Sequence, residues 1–298
     1  MYTNLCLSLP LQRDTRKPPY PSKNTMPQNF ANNAIKNRFY FIHPSWADII
    51  KFFLLLILLT WLIFKGTERI GYHWQWHRVP QFLFSVENGK LIIGPLIHGL
   101  IVTLHISGWS ILLAAVIGLT ASALRMSHSF MGIVIARGYV EIIRNTPLLV
   151  QLFFLYFVLA PALGISRFAS AVLALSLFEG AYASEIFRGG IVSIHKGQWE
   201  AAYSLGMGKI SAFTYVAFPQ AIRRILPPLT NQGVSLIKDS ALVSTIAIYD
   251  LTMQGQIIIS ETFLTFEIWF TVAVIYLFVT ISLSTLTNGI EKHIRIVE

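Results

Sequence analysis

The sequence predicts an all-α integral membrane protein of six spans. Three observations predict it. Of the 298 residues, 54% are hydrophobic and 12% charged, where a soluble domain carries about 25% charged residues. Mean hydropathy is +0.59. The apolar residues gather in six segments, at roughly 47–64, 94–122, 146–163, 169–188, 222–249 and 267–288, and a helix needs about 20 residues to cross the hydrocarbon core.

Residues 1–46 are polar, carry Pro18, Pro19, Pro21 and Pro27 with many Asn, and are expected as a disordered tail. They lack the basic start, apolar run and small-residue cleavage site of a signal peptide. Met26 offers an alternative start. The single Cys6 gives neither a disulfide framework nor a thiol-rich metal site. The 47–64 segment is short for a span and requires Lys51 to snorkel.

Residues 65–93 form the one sizeable loop on the far side, where Tyr72, Trp74 and Trp76 suit an interfacial aromatic belt. His73 and His77, four apart, would share a helical face and place two imidazoles on a metal. With no third ligand nearby, an amphipathic interfacial turn is the simpler reading, and no metal site is expected. The 94–122 segment exceeds a bilayer and should tilt or project. The 222–249 segment carries Asn231, Lys238 and Asp239 and is the least plainly apolar of the six.

Lys and Arg are divided unequally between alternate loops. The tail and residues 123–145, 188–224 and 289–298 hold sixteen, against five on the other side (Lys65, Arg69, Arg78, Lys90 and Arg167). The positive side is cytoplasmic, so both termini are expected inside. The net charge of +9 is thereby accounted for by topology, and no nucleic-acid partner is expected.

One cytoplasmic loop, 189–221, is patterned for contact. Glu200-Ala201-Ala202 suits a short helix, Gly206 sits where a helix C-cap needs a left-handed residue, and Lys209 to Phe218 can form a second short helix that Pro219 stops. Leu205-Gly206-Met207-Gly208-Lys209-Ile210 looks faintly like a phosphate loop. A Walker A motif needs Gly where Tyr203 stands and Ser or Thr where Ile210 stands, so ATP is not expected on this chain.

The spacing of Glu200, Ala201, Ala202, Gly206 and Pro219 resembles the signature of permease subunits of ATP-binding-cassette (ABC) importers, with Val216 and Phe218 replacing its Ile and Leu. The runs from Tyr139 to Gln151, Gly180 to Gly190, Lys196 to Trp199 and Ser235 to Ser244 resemble the polar amino acid permeases. The resemblance covers about residues 94–292. It implies a type I ABC importer transmembrane domain (MetI-like), a five-helix core to which this chain adds one N-terminal transmembrane helix and the 65–93 periplasmic loop. It further implies a bacterial inner-membrane location and a coupling loop that docks on ABC ATPase subunits, which hold ATP and Mg. A second permease, identical or paralogous, an extracytoplasmic amino acid binding protein, the amino acid substrate and membrane lipid complete the expected partners. The chain itself would be no enzyme and hold no cofactor.

Ionisable groups inside a span usually face a cavity or a partner. Glu179 lies about ten residues into its segment, about 15 Å along a helix. With Lys238 and Asp239 it offers an acceptor for a substrate ammonium and a cation for its carboxylate. The structural alternative pairs Lys238 with Glu179 to hold two helices in register. Asn231, seven before Lys238, shares its helix face and is a candidate to line the same path, as is Thr103, which also suits a bond across helices. His98 and His105 are read as buried neutral histidines, Arg144 and Arg188 as topology anchors, and Glu185 as a partner for Arg188. The alternative function is an ion-coupled secondary amino acid transporter using Glu179, Asp239 and the histidines. A membrane enzyme is a third class, supported by no nucleophile–base spacing.

Overall fold

A computed structural model describes residues 46–87 and 89–294. The expected tail 1–46, Trp46 apart, lies outside the described residues with Cys6 and Met26. The chain divides into two compact units, Met1–His73 and Trp74–Glu298.

In the first unit, α1 (Trp46–Ile70) is 25 residues long, about 37 Å at 1.5 Å per residue. It runs past the expected end at 64 into the expected loop and is followed by Gly71 at φ +66°. Lys51 pairs with Asp48 at 3.5 Å, and the Lys65 ammonium stands over the Trp61 ring at 4.7 Å.

The second unit opens with a 3-10 turn (Trp76–Arg78), α2 (Pro80–Leu83) and an antiparallel hairpin of β1 (Phe84–Glu87) and β2 (Lys90–Ile93) that pairs Phe84 with Ile93. The hairpin is an addition to the expected all-α fold. His77 lies in the 3-10 turn while His73 lies outside any helix, so the helical face that would have put the two imidazoles together is not formed. Trp74 and Trp76 stack on each other at 5.8 Å and lie against Phe266 and Phe270. Rather than forming only a lipid-facing belt, they cover one end of the helical unit.

The spans follow as α3 (Pro95–Met126), α4 (Phe130–Arg144), α5 (Leu148–Phe153), α6 (Ala160–Leu163) and α7 (Arg167–Val192). They continue as α8 (Lys196–Ser204), α9 (Lys209–Ala212), α10 (Phe218–Asp239), α11 (Leu251–Thr262) and α12 (Thr265–Ile294). Among the described residues, three helices, Pro95–Met126, Arg167–Val192 and Thr265–Thr287, are long and apolar enough to cross a membrane. Counting α4 with α5–α6, and α9–α10 with α11, as bent spans gives five, the number expected for the core.

Two departures concern segments taken as loops. Residues 130–144 form a helix, started by Ser129, whose hydroxyl accepts the Gly132 N–H, and bent 109° from the helix that follows. Gln151 folds back over that bend, donating to Ile143 O, Thr146 O and Thr146 Oγ1. The span expected at 222–249 ends in a 3-10 segment (Ser240–Ile246) and left-handed Ala247, and Asp250 then caps α11 by accepting the Met253 N–H.

A third departure is Pro219, which does not stop a helix. A proline offers no N–H to the carbonyl four residues back, and its ring crowds that carbonyl. Here the turn before it is π-helical (Phe213–Ala217), with Phe218 N–H reaching Phe213 O, so α9 passes into α10 without a break. The same device stands before Pro161, where the π turn Phe154–Leu159 ends with Ala160 N–H on Leu155 O. Wider i→i+5 turns open room that the α-helix lacks.

Parallel α3 and α7 form the centre of the unit. Ser176 Oγ donates to Ser110 O, and Ala183 meets Gly118 about two turns further on. A Cβ on Gly118 would lie 2.7 Å from Ala183 Cβ and 3.0 Å from Gly180 O, a separation open only to small residues. At the other end of α3, a Cβ on Gly99 would lie 2.7 Å from Asp250 O. Gly118→Leu should therefore lower the thermal unfolding midpoint in detergent, through overpacking of about 1–3 kcal/mol. Gly108→Ala, which meets nothing within 4 Å, should leave it unchanged or raise it.

Candidate substrate path and coupling loop

The segment from His195 to Pro219 is a compact helical hairpin. His195 Nδ1 accepts the Gly197 N–H and starts α8. At its end Gly206 takes φ +78°, its N–H reaching Tyr203 O while Met207 N–H reaches Ala202 O. That pair of bonds is the Schellman cap, and it is the role expected of Gly206 from the sequence.

One side of the hairpin is anchored. Trp199 and Phe213 pack on a buried cluster of Ile194, Ala217, Ala221 and Ile225. Gln220 donates to Gln198, Arg224 to Ser193 O, and a Cβ on Gly190 would lie 2.2 Å from Ile225 Cγ1. The hairpin is thereby fixed to both α7 and α10. Its other side is open. Glu200, Ala201, Gly206 and Pro219 are exposed, Ala202 is buried, and Leu205 and Ile210 are 79% and 83% exposed.

Along α7, Glu185 gathers charge. It accepts from Arg125 Nη1 at 2.7 Å and from Arg188 Nη2 at 2.7 Å, with Arg144 Nη1 at 3.5 Å. The expected Glu185–Arg188 pair is present. Arg144 and Arg188, read as separate anchors, belong with Arg125 to one cluster, and Arg144 also stands over the Tyr182 ring at 5.3 Å.

Nearly two turns before Glu185, Glu179 is buried, with 2% of its surface exposed. Gln232 Nε2 donates to its Oε2, Asp239 lies beside it, and Oε1 is enclosed with no hydrogen-bond partner. A cavity of about 70 Å³ adjoins it, walled by α3 (Ile111, Ala114, Ala115), α7 (Glu179, Ala183) and α10 (Leu229, Gln232, Gly233, Leu236). A water occupies about 30 Å³ of liquid, so this partly open space has room for a few waters and is too small for an amino acid.

The pairing of Lys238 with Glu179 is not formed. Positions 229, 232, 233 and 236 make one face of α10, whereas Asn231 and Lys238 are exposed on another. The residue missed at this cavity is Gln232, legible as the one polar member of that otherwise small and apolar i, i+3, i+4, i+7 set. Thr103 is fully buried, and its hydroxyl donates to Gly99 O and accepts the Leu251 N–H. It bonds across helices as expected and secures the start of α11. His98 and His105 are exposed rather than buried, and His105 Nε2 accepts from Trp109.

A five-span core with a capped, half-exposed helical hairpin fixed to α7 and α10 defines the membrane-embedded subunit of a transport system. A family model described as "Binding-protein-dependent transport system inner membrane component" matches residues 114–296, and the chain belongs to that family. It is 42% identical over 204 residues to the glutamine transport system permease protein GlnP of Escherichia coli K12, covering 67% of this chain and 93% of that one. The nopaline transport system permease protein NocM of Agrobacterium fabrum is 40% identical over 195 residues, covering 62% and 81%. Among solved structures, an amino acid ABC transporter crystallised with histidines matches at 40% identity and TM-score 0.64, over 67% of this chain and 94% of its own. The inward-facing MetNI methionine ABC transporter matches in fold, at 18% identity and TM-score 0.60, over 68% and 97%.

Gln232→Leu removes the donor to Glu179 and should destabilise the protein by about 1–3 kcal/mol, the usual consequence of leaving a buried polar group unsatisfied. A thermal midpoint equal to that of the wild type would show that the Glu179–Gln232 bond does not hold α7 to α10.

Proposed function

We propose that this chain is the permease subunit of an ATP-driven importer of polar amino acids, forming the translocation path and taking its energy from separate ATPase subunits. The observation that carries this reading is the hairpin from His195 to Pro219, anchored on one side to α7 and α10 and open on the other. Exposed Leu205 and Ile210, with Tyr203 and Tyr215 beside them, give a polar loop an apolar surface of the kind that docks in a groove. Glu200, Ala201, Ala202, Gly206 and Pro219 are its signature residues. The ATPase would hold ATP and Mg and bind this surface. No step of covalent chemistry is assigned to the chain.

Displacing the hairpin displaces α10 through Gln220, Arg224 and Ile225. Gln232 lies seven residues beyond Ile225, about 10 Å along the helix. In this reading, closure of the ATPases shifts α10 against α7 and opens the small cavity beside Glu179 into a path. Glu179 and Asp239 would receive the substrate ammonium, and Lys238 with Asn231, exposed on this chain, would line the space shared with a second permease, identical or paralogous. Thr103 would act as a positioning residue, holding α11 to α3. The names of the relatives make glutamine the first substrate to test. The charge asymmetry of the loops supports an inside location for both termini and the hairpin, with a binding protein delivering substrate to the opposite face.

Co-purification from membranes tests the coupling surface. The wild-type chain should retain an ABC ATPase in mild detergent, and Glu200→Arg should lose it while keeping its unfolding midpoint. Retention of the ATPase by both proteins would remove Glu200 from the docking surface.

A further inference from the structure

Three arginines from three helices converge on one carboxylate where α3, α4 and α7 end. Arg125 Nη1 and Arg188 Nε and Nη2 donate to Glu185, and Arg144 Nη1 lies 3.5 Å from it. One carboxylate neutralises one guanidinium, so two positive charges are in excess. Among the described residues, no other acid pairs with these three. Each guanidinium also carries five N–H donors, against the two oxygens of Glu185. Arg125 Nε is enclosed without a hydrogen-bond partner, and the side chains of Arg144 and Arg188 remain 41% and 38% exposed. The helix C-termini favour cations here, but their partial charges supply no discrete counter-ion.

The neighbouring surface is apolar. α4 is turned 109° from the helix after it, and it exposes Phe130, Met131, Val134, Ile135 and Ile142. Arg137 and Arg144, seven apart, share a face bordering that apolar arc. At the interfacial end of such a bent span, this pattern sets the apolar arc toward acyl chains and the cations toward head-group level.

We propose that Arg125, Arg144 and Arg188 form a binding site for a phosphate-bearing anion, the head group of an anionic phospholipid whose chains run along the exposed face of α4. Arginine suits this because its planar fork meets phosphate oxygens in pairs, and basic pockets between membrane helices take such head groups. The site is distinct from the amino acid path and does not depend on that assignment.

Native mass spectrometry of the full chain, titrated separately with phosphatidylglycerol, phosphatidylcholine and inorganic phosphate, tests it. Phosphatidylglycerol should be retained in preference to phosphatidylcholine, and inorganic phosphate should not displace it. Arg144→Gln should weaken phosphatidylglycerol binding about fivefold, as expected for one arginine at an anionic surface, and Arg144→Lys should restore most of it. Arg188→Gln serves if Arg144→Gln fails to give folded protein.

Equal retention of both lipids, or an unchanged affinity in a folded Arg144→Gln protein, would overturn the proposal. Displacement by inorganic phosphate would reduce the site to one for free phosphate and overturn its lipid assignment. Loss of a bound ATPase from Arg144→Gln with lipid affinity unchanged would assign the cluster to a protein contact instead.

Discussion

The close approach of α3 and α7 is the constraint on which the other contacts depend. Gly118, Gly180 and Ala183 let two long parallel helices meet almost backbone to backbone, which is how helices associate where lipid gives no hydrophobic drive between them. Because α7 is held there, its remaining faces are free to present Glu179 to α10 and Glu185 to the ends of α3 and α4. Buried serines on the same two helices, Ser107, Ser110, Ser122 and Ser184, have hydroxyls without side-chain partners. They serve as small residues at a tight crossing more than as a hydrogen-bond network.

Local features of this arrangement were legible in the sequence, and long-range ones were not. The Gly206 cap and the Glu185–Arg188 pair follow from spacings of a few residues, which a helix converts directly into contact. The spans followed from hydropathy, except where polar residues diluted it. Helix α4 escaped because Arg137, Glu141 and Arg144 give its stretch the composition of a loop, although its apolar residues keep helical spacing. Helix α11 escaped because Ala247, a non-glycine in the left-handed region, gives no turn signal, and Asp250 is a cap only once the chain has turned.

Pro219 shows the limit of a local rule. Proline ends an ordinary α-helix, but a single π turn ahead of it removes the conflict, and the helix then runs on through the membrane-facing segment. The Glu179–Gln232 and Arg125–Glu185 pairs join residues 53 and 60 positions apart, separations that no periodicity encodes. The buried Glu179–Gln232 pair was therefore half legible: Glu179 stood out as an acid in an apolar run, whereas its partner shows only as the polar member of one helix face.

The central claim is that the energy for transport enters through the hairpin and not through an ion gradient. Uptake by proteoliposomes containing the chain with its ATPase, and supplied with the binding protein, tests that claim most directly. The account predicts uptake of a polar amino acid only with ATP on the ATPase side, persisting when proton and sodium gradients are collapsed. Uptake by the chain alone, abolished by collapsing those gradients, would contradict it.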